Sequence, residues 1–156
     1  MKIGIGYDIH RLVPGRPLVL GGIRIPFDKG PQSHSDGDVL LHAITDALLG
    51  ACGVGDIGQH FSNTDPRWKN VESKVFIQKA MEFVRERKLR VGNLDATIIA
   101  ETPKLGTHLK AVRKNVAKLL GVPETDVNVK AGTNEKCDSI GRSEAIAAQA
   151  AVLLTS

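Results

Sequence analysis

The sequence predicts a single α+β domain over residues 1–156, built as a mixed β-sheet with helices packed on one side. Three observations carry that expectation. Segments of period-two apolar alternation are interspersed with segments of helical periodicity, without the regular strand-helix repetition of a parallel α/β fold. No internal repeat and no low-complexity linker divides the chain. Its 156 residues, 42% of them hydrophobic, suffice for one buried core, because a domain near that size removes roughly 70% of its unfolded surface from water.

Lys2 to Asp8 reads as the first strand, and Leu18 to Ile25, broken by Gly21-Gly22, as a bent strand or hairpin. A loop follows from Pro26 to Asp36. From Asp38 onward Leu40, Ile44, Ala47, Leu48 and Ala51 recur at helical spacing, with Asp36 or Asp38 available to cap this first helix. The polar, glycine-rich stretch from Gly53 to Asn70 is long for a connection. Such loops are functional or disordered, and Phe61 and Trp68 favour order here. Val71 to Lys88 is predicted as a second helix with Ile77, Ala80, Met81 and Val84 on one face, and Asn93 to Ala100 as a strand. Thr107 is expected to cap a third helix, with Leu109, Val112, Val116 and Leu119 as its core stripe, which Gly121-Val122-Pro123 stops. Val127 to Ala131 reads as a strand and the alanine-rich Ser143 to Leu154 as a final helix.

Lys and Arg exceed Asp and Glu by 21 to 17, which suits an anionic partner. Only 4% of residues are aromatic, so a base-stacking surface would be poorly supplied; small anionic substrates, not nucleic acid, are the expected partners. The basic run Arg85-Glu86-Arg87-Lys88-Leu89-Arg90 closes a predicted helix, where cations favour the dipole, and reads as a solvated helix end. The start alternates Gly with Ile instead of building a signal-peptide core, and no apolar run is long enough to span a bilayer. The expectation is a soluble, unprocessed chain with no membrane partner. Cys52 and Cys137 lie far apart without CxxC spacing, which points to a reducing compartment.

Asp8 and His10, two residues apart, project from one face of the first strand. With His42 on the first helix they offer three ligands, the number a catalytic zinc site takes while leaving one position open; a strand-end pair with ordinary hydrogen bonds would use the same residues. Asp38 and Asp46, four residues to either side of His42, are candidates for holding its imidazole, with a salt-bridged helix surface as the alternative. His34-Ser35-Asp36-Gly37-Asp38 places donors ahead of a helix N-terminus, suited to a phosphate or to a capping turn. Gly53-Val54-Gly55-Asp56-Ile57-Gly58 has the letters of a dinucleotide fingerprint but follows a helix. That reading is rejected; the glycines permit close backbone approach and Asp56 is a candidate hydroxyl acceptor. In Gly132-Thr133-Asn134-Glu135-Lys136, Glu135 is the kind of ligand magnesium uses beside substrate phosphates, although a polar turn has the same composition. Glu101 to Gly106 either reads a ligand edge with its backbone or turns the chain. Walker A, G-x-S-x-G and H-E-x-x-H patterns are absent.

Taken together, Gly6-Tyr7-Asp8-Ile9-His10, His34-Ser35-Asp36-Gly37-Asp38, His42 through Gly50, Gly55-Asp56-Ile57-Gly58-Gln59-His60-Phe61 and Asn128-Val129-Lys130-Ala131 closely resemble the 2-C-methyl-D-erythritol 2,4-cyclodiphosphate synthase family. The match is collinear over nearly the whole chain. It implies a lyase of non-mevalonate isoprenoid precursor biosynthesis that cyclises 4-diphosphocytidyl-2-C-methyl-D-erythritol 2-phosphate to the 2,4-cyclodiphosphate and releases CMP. A homotrimer with active sites between adjacent subunits is implied as well. By the same resemblance Asp8, His10 and His42 hold zinc, Glu135 holds magnesium or manganese, and His34 and Thr133 are catalytic. His34 and Ser35 match the residues on the 2-phosphate, and Asp56, Ile57 and Gly58 match the loop on the methylerythritol, continued by Phe61 and Asp65. Ala100, Pro103, Lys104, Leu105 and Gly106 match the cytidine pocket of the neighbouring subunit. Gly132, Thr133 and Asn134 fall beside the diphosphate, and Arg142 completes the substrate-contacting set.

The resemblance departs at Asp138 and Ser139, where many members carry Gly-Phe ahead of Gly-Arg. In such members the aromatic and the arginine line a cavity on the trimer axis that can hold an isoprenoid diphosphate. Here Arg142 and Glu144 remain, without the aromatic. The expected location is the cytoplasm; a plastid enzyme whose transit peptide had been removed would carry the same features. The rival enzyme reading is a metal-dependent nucleotide phosphohydrolase that uses zinc to activate water. Two non-enzymatic rivals are a nucleic-acid-binding module resting on Lys and Arg alone and a purely structural trimeric scaffold.

Overall fold

Alternate glycines in the first strand decide how closely the layers pack. In the computed structural model, which describes residues 1–62 and 64–156, strand β1 (Lys2–Pro14) turns Gly4 and Gly6 toward helix α1 (Val39–Cys52). A Cβ at Gly4 would collide with the backbone carbonyl of Ala47, and one at Gly6 with that of Ala43, so these positions serve close approach of helix to strand. The odd residues of β1 take the opposite face, where Ile3 and Ile5 are 74% and 78% exposed.

Strands β2 (Leu18–Leu20) and β3 (Ile23–Ile25) form the expected hairpin as a separate two-stranded ribbon. Its two-residue turn has φ of 59° at Gly21 and 76° at Gly22, the left-handed pair that a tight hairpin of matching twist requires. Strands β4 (Lys29–Pro31), β5 (Arg90–Ile99), β6 (Val127–Gly132) and β7 (Ala145–Thr155) join β1 in a five-stranded sheet of order β4-β1-β7-β5-β6. Pairing is antiparallel throughout except between β5 and β6, which are parallel and joined through a helix, as parallel neighbours must be.

Helix α1 is followed by a short helix α2 (Ile57–His60), and α3 (Lys74–Glu86) and α4 (Leu109–Leu120) complete the long helices. The long helices cover one face of the sheet, as expected: α1 lies on β1 and β7, α4 on β6, and α3 packs against both helices. Beneath them are Leu94, Ala96 and Ile98 of β5, Val127 and Val129 of β6, and Ile146, Ala148, Ala150, Val152 and Leu154 of β7. A short α5 (Asp138–Gly141) closes one end of the other face, where Ile140 packs with Ala145, Ala147 and Ile99.

The predicted final helix is a strand. Alanine favours a helix in isolation, but tertiary context overrides so small a preference, and Ala145–Thr155 is the central strand with partners on both edges. Its alanines answer to α1: Gly6, Ala150 and Ala96 share one row across the sheet, forming a trough of small residues under the helix. Other boundaries move less. Cap position of α4 falls on His108, without a side-chain cap bond, so Thr107 does not cap it. Among the described residues of the long polar connection, Ile57–His60 form α2 and Pro66–Trp68 a 3-10 turn. Gly53, at φ 66°, ends α1 in the left-handed conformation, and a helix rather than a strand precedes this glycine run, consistent with rejecting a dinucleotide fingerprint. Among the described residues no helix is long and apolar enough to cross a membrane.

Candidate metal centre

The same two-residue period that faces Gly4 and Gly6 toward α1 brings Asp8 and His10 to that face, beyond the point where helix and strand touch. His42, on the first turn of α1, meets them there. Asp8 Oδ2 lies 2.9 Å from His10 Nε2 and 2.9 Å from His42 Nδ1, and the two ring nitrogens are 3.1 Å apart. The rings stand nearly perpendicular, at 80°. Burial acts to raise the Asp8 pKa, but hydrogen bonds from His10 and His42, and their charge, outweigh it and hold the carboxyl well below the usual carboxylate range.

Three such atoms fit a metal ion. A tetrahedral centre with bonds of about 2.0–2.1 Å separates its ligands by roughly 3.3 Å, and the observed triangle is within a few tenths of an ångström of that size. Among the described residues this is the one group of three or more His, Cys, Asp or Glu side chains that converges this way. One Asp and two His leave a fourth position for water or substrate, the pattern of catalytic rather than closed structural sites.

Neither Asp38 nor Asp46 holds the His42 imidazole, although both lie four residues from it. Asp38 is fully buried and caps α1, accepting from Leu41 N at 3.0 Å and tying down the hairpin turn through Gly21 N at 2.9 Å and Gly22 N at 2.7 Å. Burial pushes its carboxyl up to about 6, with those three bonds pulling against it and the charge of Asp36 adding to the rise. Asp46 accepts from Ile57 N at 2.7 Å and so pins the start of α2; burial raises its pKa as well. Instead, His42 Nε2 faces the hydroxyls of Ser73, at 2.8 Å, and Ser35, at 3.2 Å, and the Phe76 ring packs against the imidazole. Ser73 and Phe76 went unnoticed in the sequence. A serine at a helix start reads as a cap, and nothing in its spacing joins it to His42.

The triangle opens into a cleft of about 500 Å³ that gathers His34, Ser35, Ile57, Gly58 and Phe61. Its apolar wall is an aromatic cluster, with Phe61 4.7 Å from Phe76 and 5.3 Å from Trp68 between ring centroids. Asp56 caps α2 through Gln59 N at 2.9 Å. Asp65 is not among the cleft-lining residues; its carbonyl lies 3.4 Å from His34 Nε2 and its carboxylate pairs with Arg67 at 2.6 Å. That pairing lowers its pKa.

The remaining sequence-predicted residues form a second group. Ala100 N donates to Gly132 O, joining the end of β5 to the end of β6, and Pro103 to Gly106 follow directly. Leu105 is buried in the core, which leaves its backbone for any ligand. Thr133 Oγ1 donates to Glu135 Oε1 at 3.0 Å, and Glu135 and Lys136 sit at φ of 50° and 63°. Asn134 Nδ2 donates to Asp138, whose carboxylate also accepts from Ile140 N at 2.7 Å within the first turn of α5, and Arg142 pairs with Glu144. Asp8 shares a row with Ala148, Ile98 and Ala131, so the end of β6 that leads into Thr133 and Glu135 lies three strand spacings from Asp8, about 14 Å across the sheet, and the end of β5 at Ala100 lies two. One chain does not bring the two groups together.

Comparison with known proteins follows the same collinear pattern. A 2-C-methyl-D-erythritol 2,4-cyclodiphosphate synthase from Burkholderia thailandensis is 54% identical over 153 residues, spanning 98% of this chain and 94% of that one. A solved 2C-methyl-D-erythritol-2,4-cyclodiphosphate synthase in a CDP-bound form superposes with a TM-score of 0.91 at 41% identity, over 99% of this chain and all of the other. The bifunctional IspDF from Campylobacter jejuni matches with a TM-score of 0.94 at 42% identity; the match takes in 98% of this chain but only 42% of that longer one. The YgbB family matches from residue 1 to residue 155, and the chain belongs to it.

Proposed function

We propose that this protein is a lyase that converts 4-diphosphocytidyl-2-C-methyl-D-erythritol 2-phosphate to 2-C-methyl-D-erythritol 2,4-cyclodiphosphate and CMP. The observation that carries the reading is the Asp8–His10–His42 triangle opening into the cleft that holds His34 and Ser35. It is supported by relatives 54% identical that bear this enzyme's name and by a CDP-bound structural relative.

The reaction is an intramolecular phosphoryl transfer. An oxygen of the 2-phosphate forms a bond to the β-phosphorus, the bond from that phosphorus to the oxygen bridging it to the α-phosphorus breaks, and CMP leaves with that oxygen. The nucleophile is already anionic, so no protein base is needed; what remains is to bend the substrate and offset repulsion among phosphates. Zinc held by Asp8, His10 and His42, and magnesium or manganese held by Glu135, would supply that charge neutralisation when bound. His34 and Ser35 face the cleft, suited to hold the 2-phosphate beside the triangle. Ile57 and Gly58, kept in place by the Asp46 bond to Ile57 N, and Phe61 in the aromatic wall close around the sugar-derived carbon chain. Thr133 adds a hydroxyl toward the diphosphate, and the backbone from Ala100 to Gly106 receives the cytidine.

We further propose a homotrimer in which a neighbouring copy brings its Thr133–Glu135 and Ala100–Gly106 segments to the triangle. Two observations support this: the groups lie at opposite sides of the sheet, and β1 presents the uncovered stripe Ile3, Ile5, Tyr7 and Ile9.

Turnover of the cytidyl substrate in defined zinc and magnesium, followed by phosphorus NMR, tests the reading. A cyclic diphosphate with CMP is expected from the wild type, and neither product from His42→Ala. Linear hydrolysis products would favour a metal-dependent nucleotide phosphohydrolase instead.

A further inference from the structure

We infer that His60 is a positioning residue for the proposed reaction: its imidazole ties the end of α2 back to Val54 and so holds Ile57 and Gly58 at the cleft. The inference rests on the reading that these two residues close around the substrate's carbon chain. Such a tie is needed because α2 is one turn long and none of its four residues is buried. Glycines at 53, 55 and 58 lie in and around it, with Gly53 and Gly55 at φ of 66° and 90°. A turn so short and so rich in glycine has little burial and much backbone freedom to set against its own opening.

Two side chains supply the restraint, one at each end. Asp46 accepts from Ile57 N and fixes the start of α2 to α1. At the other end His60 Nε2 lies 2.7 Å from the carbonyl oxygen of Val54, the second residue beyond α1. A backbone carbonyl only accepts, so Nε2 carries the hydrogen of this bond whether the imidazole is neutral or charged. The ring is seated as well, its centroid 5.0 Å from that of Phe83 on α3 and 6.1 Å from that of Phe61. His60 therefore joins the two ends of the Val54–His60 loop and rests the closed loop on α3. Inside the loop Gln59 N and Nε2 donate to the Asp56 carboxylate at 2.9 and 3.2 Å, and the Gln59 amide packs against Gly55, where a Cβ would stand 2.3 Å from its oxygen. Ile57 and Gly58 line the cleft and His60 does not, so His60 acts on the site through the loop.

Two variants separate the bond from the ring. His60→Phe keeps an aromatic ring against Phe83 but has no donor for Val54 O. His60→Gln gives up the ring but carries an N–H at the reach of the imidazole Nε2. One net hydrogen bond changes a local equilibrium by about 2 to 10-fold, so His60→Phe should raise the open fraction of the loop by that factor. Substrate then meets a scarcer binding-competent form. KM carries that cost, whereas kcat is read on the bound, closed form.

The test is hydrogen exchange of the Gln59 and Phe61 amides, which bond to Asp56 Oδ1 and Ile57 O, with the amides of α1 as the folding control. Alongside it run steady-state kinetics of the cytidyl substrate in defined zinc and magnesium, and inhibition by CDP, which lacks the carbon chain. Expected for His60→Phe are exchange faster by about 2 to 10-fold, KM raised by about 2 to 10-fold at unchanged kcat, and an unchanged inhibition constant for CDP. His60→Gln should return both exchange and KM toward the wild type. Wild-type exchange in His60→Phe would overturn the inference, and so would faster exchange with an unchanged KM, because the tie would then hold nothing for the substrate. A His60→Gln protein no better than His60→Phe assigns the role to the ring and overturns the bond. An equal loss of CDP binding marks a general defect and overturns the positioning role. A wild type that does not turn over the cytidyl substrate refutes the proposed reaction instead, and exchange still decides whether His60 closes the loop.

Discussion

Gly6→Ala should damage the metal centre from a distance, and its size can be worked from the contact it disturbs. The new Cβ would stand 2.9 Å from Ala47 N and closer still to the Ala43 carbonyl oxygen. Relaxed contacts of this kind need about 3.5 Å, and the Ala43 carbonyl oxygen, as the nearest atom, sets the demand, so α1 must retreat by roughly 1.5 Å at this point. Overpacking of a tight interface costs about 1–3 kcal/mol, and the better strand propensity of alanine returns only about 0.5–1 kcal/mol. A net loss of about 1–2 kcal/mol corresponds to a fall of roughly 3–8 °C in Tm for a chain of this size. The second effect is on His42, whose next residue is Ala43. Metal bonds tolerate displacements of only about 0.2 Å, so zinc affinity should fall along with Tm. Thermal unfolding of metal-free protein and chelator competition measure the two effects separately. Gly50→Ala is the control: it lies in the same helix with no atom nearer than 3.9 Å to its new Cβ, and should stabilise by about 0.8–1 kcal/mol. A Gly6→Ala protein with unchanged Tm and zinc affinity would refute the claim that glycine sets the helix-to-strand distance.

Three other outcomes follow from particular side chains. Asp38, with its folded pKa pushed up to about 6 against an unfolded value near 3.8, keeps a proton that the unfolded chain releases, so its contribution is fully present below pH 4 and is lost as pH rises through 6. The change is about 3 kcal/mol, and urea unfolding of metal-free wild type and Asp38→Asn from pH 4 to 7 should show the difference between them shrinking over that window. Asp46→Ala removes the acceptor of Ile57 N; hydrogen exchange should show faster opening of that amide, by the equivalent of about 1–2 kcal/mol, with α1 amides little changed. Ile5→Glu places a charge on the uncovered stripe; if the proposed trimer forms, sedimentation should find trimers of the wild type and monomers of this variant, with zinc binding retained by the monomer.

The helices α1, α3 and α4 were legible because each carries an apolar stripe at helical spacing, and the hairpin because adjacent glycines suit its turn. β7 was not: from Ala148 on, Ala150, Val152 and Leu154 alternate with less buried residues as a strand should, but Ala147 is as buried as its neighbours and alanine on both faces hides the period. At the site, Asp8, His10 and His42 were found from ligand type and strand period. Their surroundings were not, because a period of 3.6 places Asp38 and Asp46 beside His42 along the helix without saying which way their carboxylates turn. Ser73 reaches His42 only through tertiary packing, across a separation of 31 residues that no local pattern records.

Strand β1 has no idle residues. Its even positions seat the helix and provide two ligands, while its odd positions carry the uncovered stripe. A slip of one residue against β7 would exchange those faces entirely. Asp8 and His10 would then point to solvent, and isoleucines would be driven against the backbone of α1. The helix could not dock, so a misregistered copy would lose its core and its chemistry in one step. Pairing errors in this chain therefore yield inert protein and no half-active enzyme with altered products.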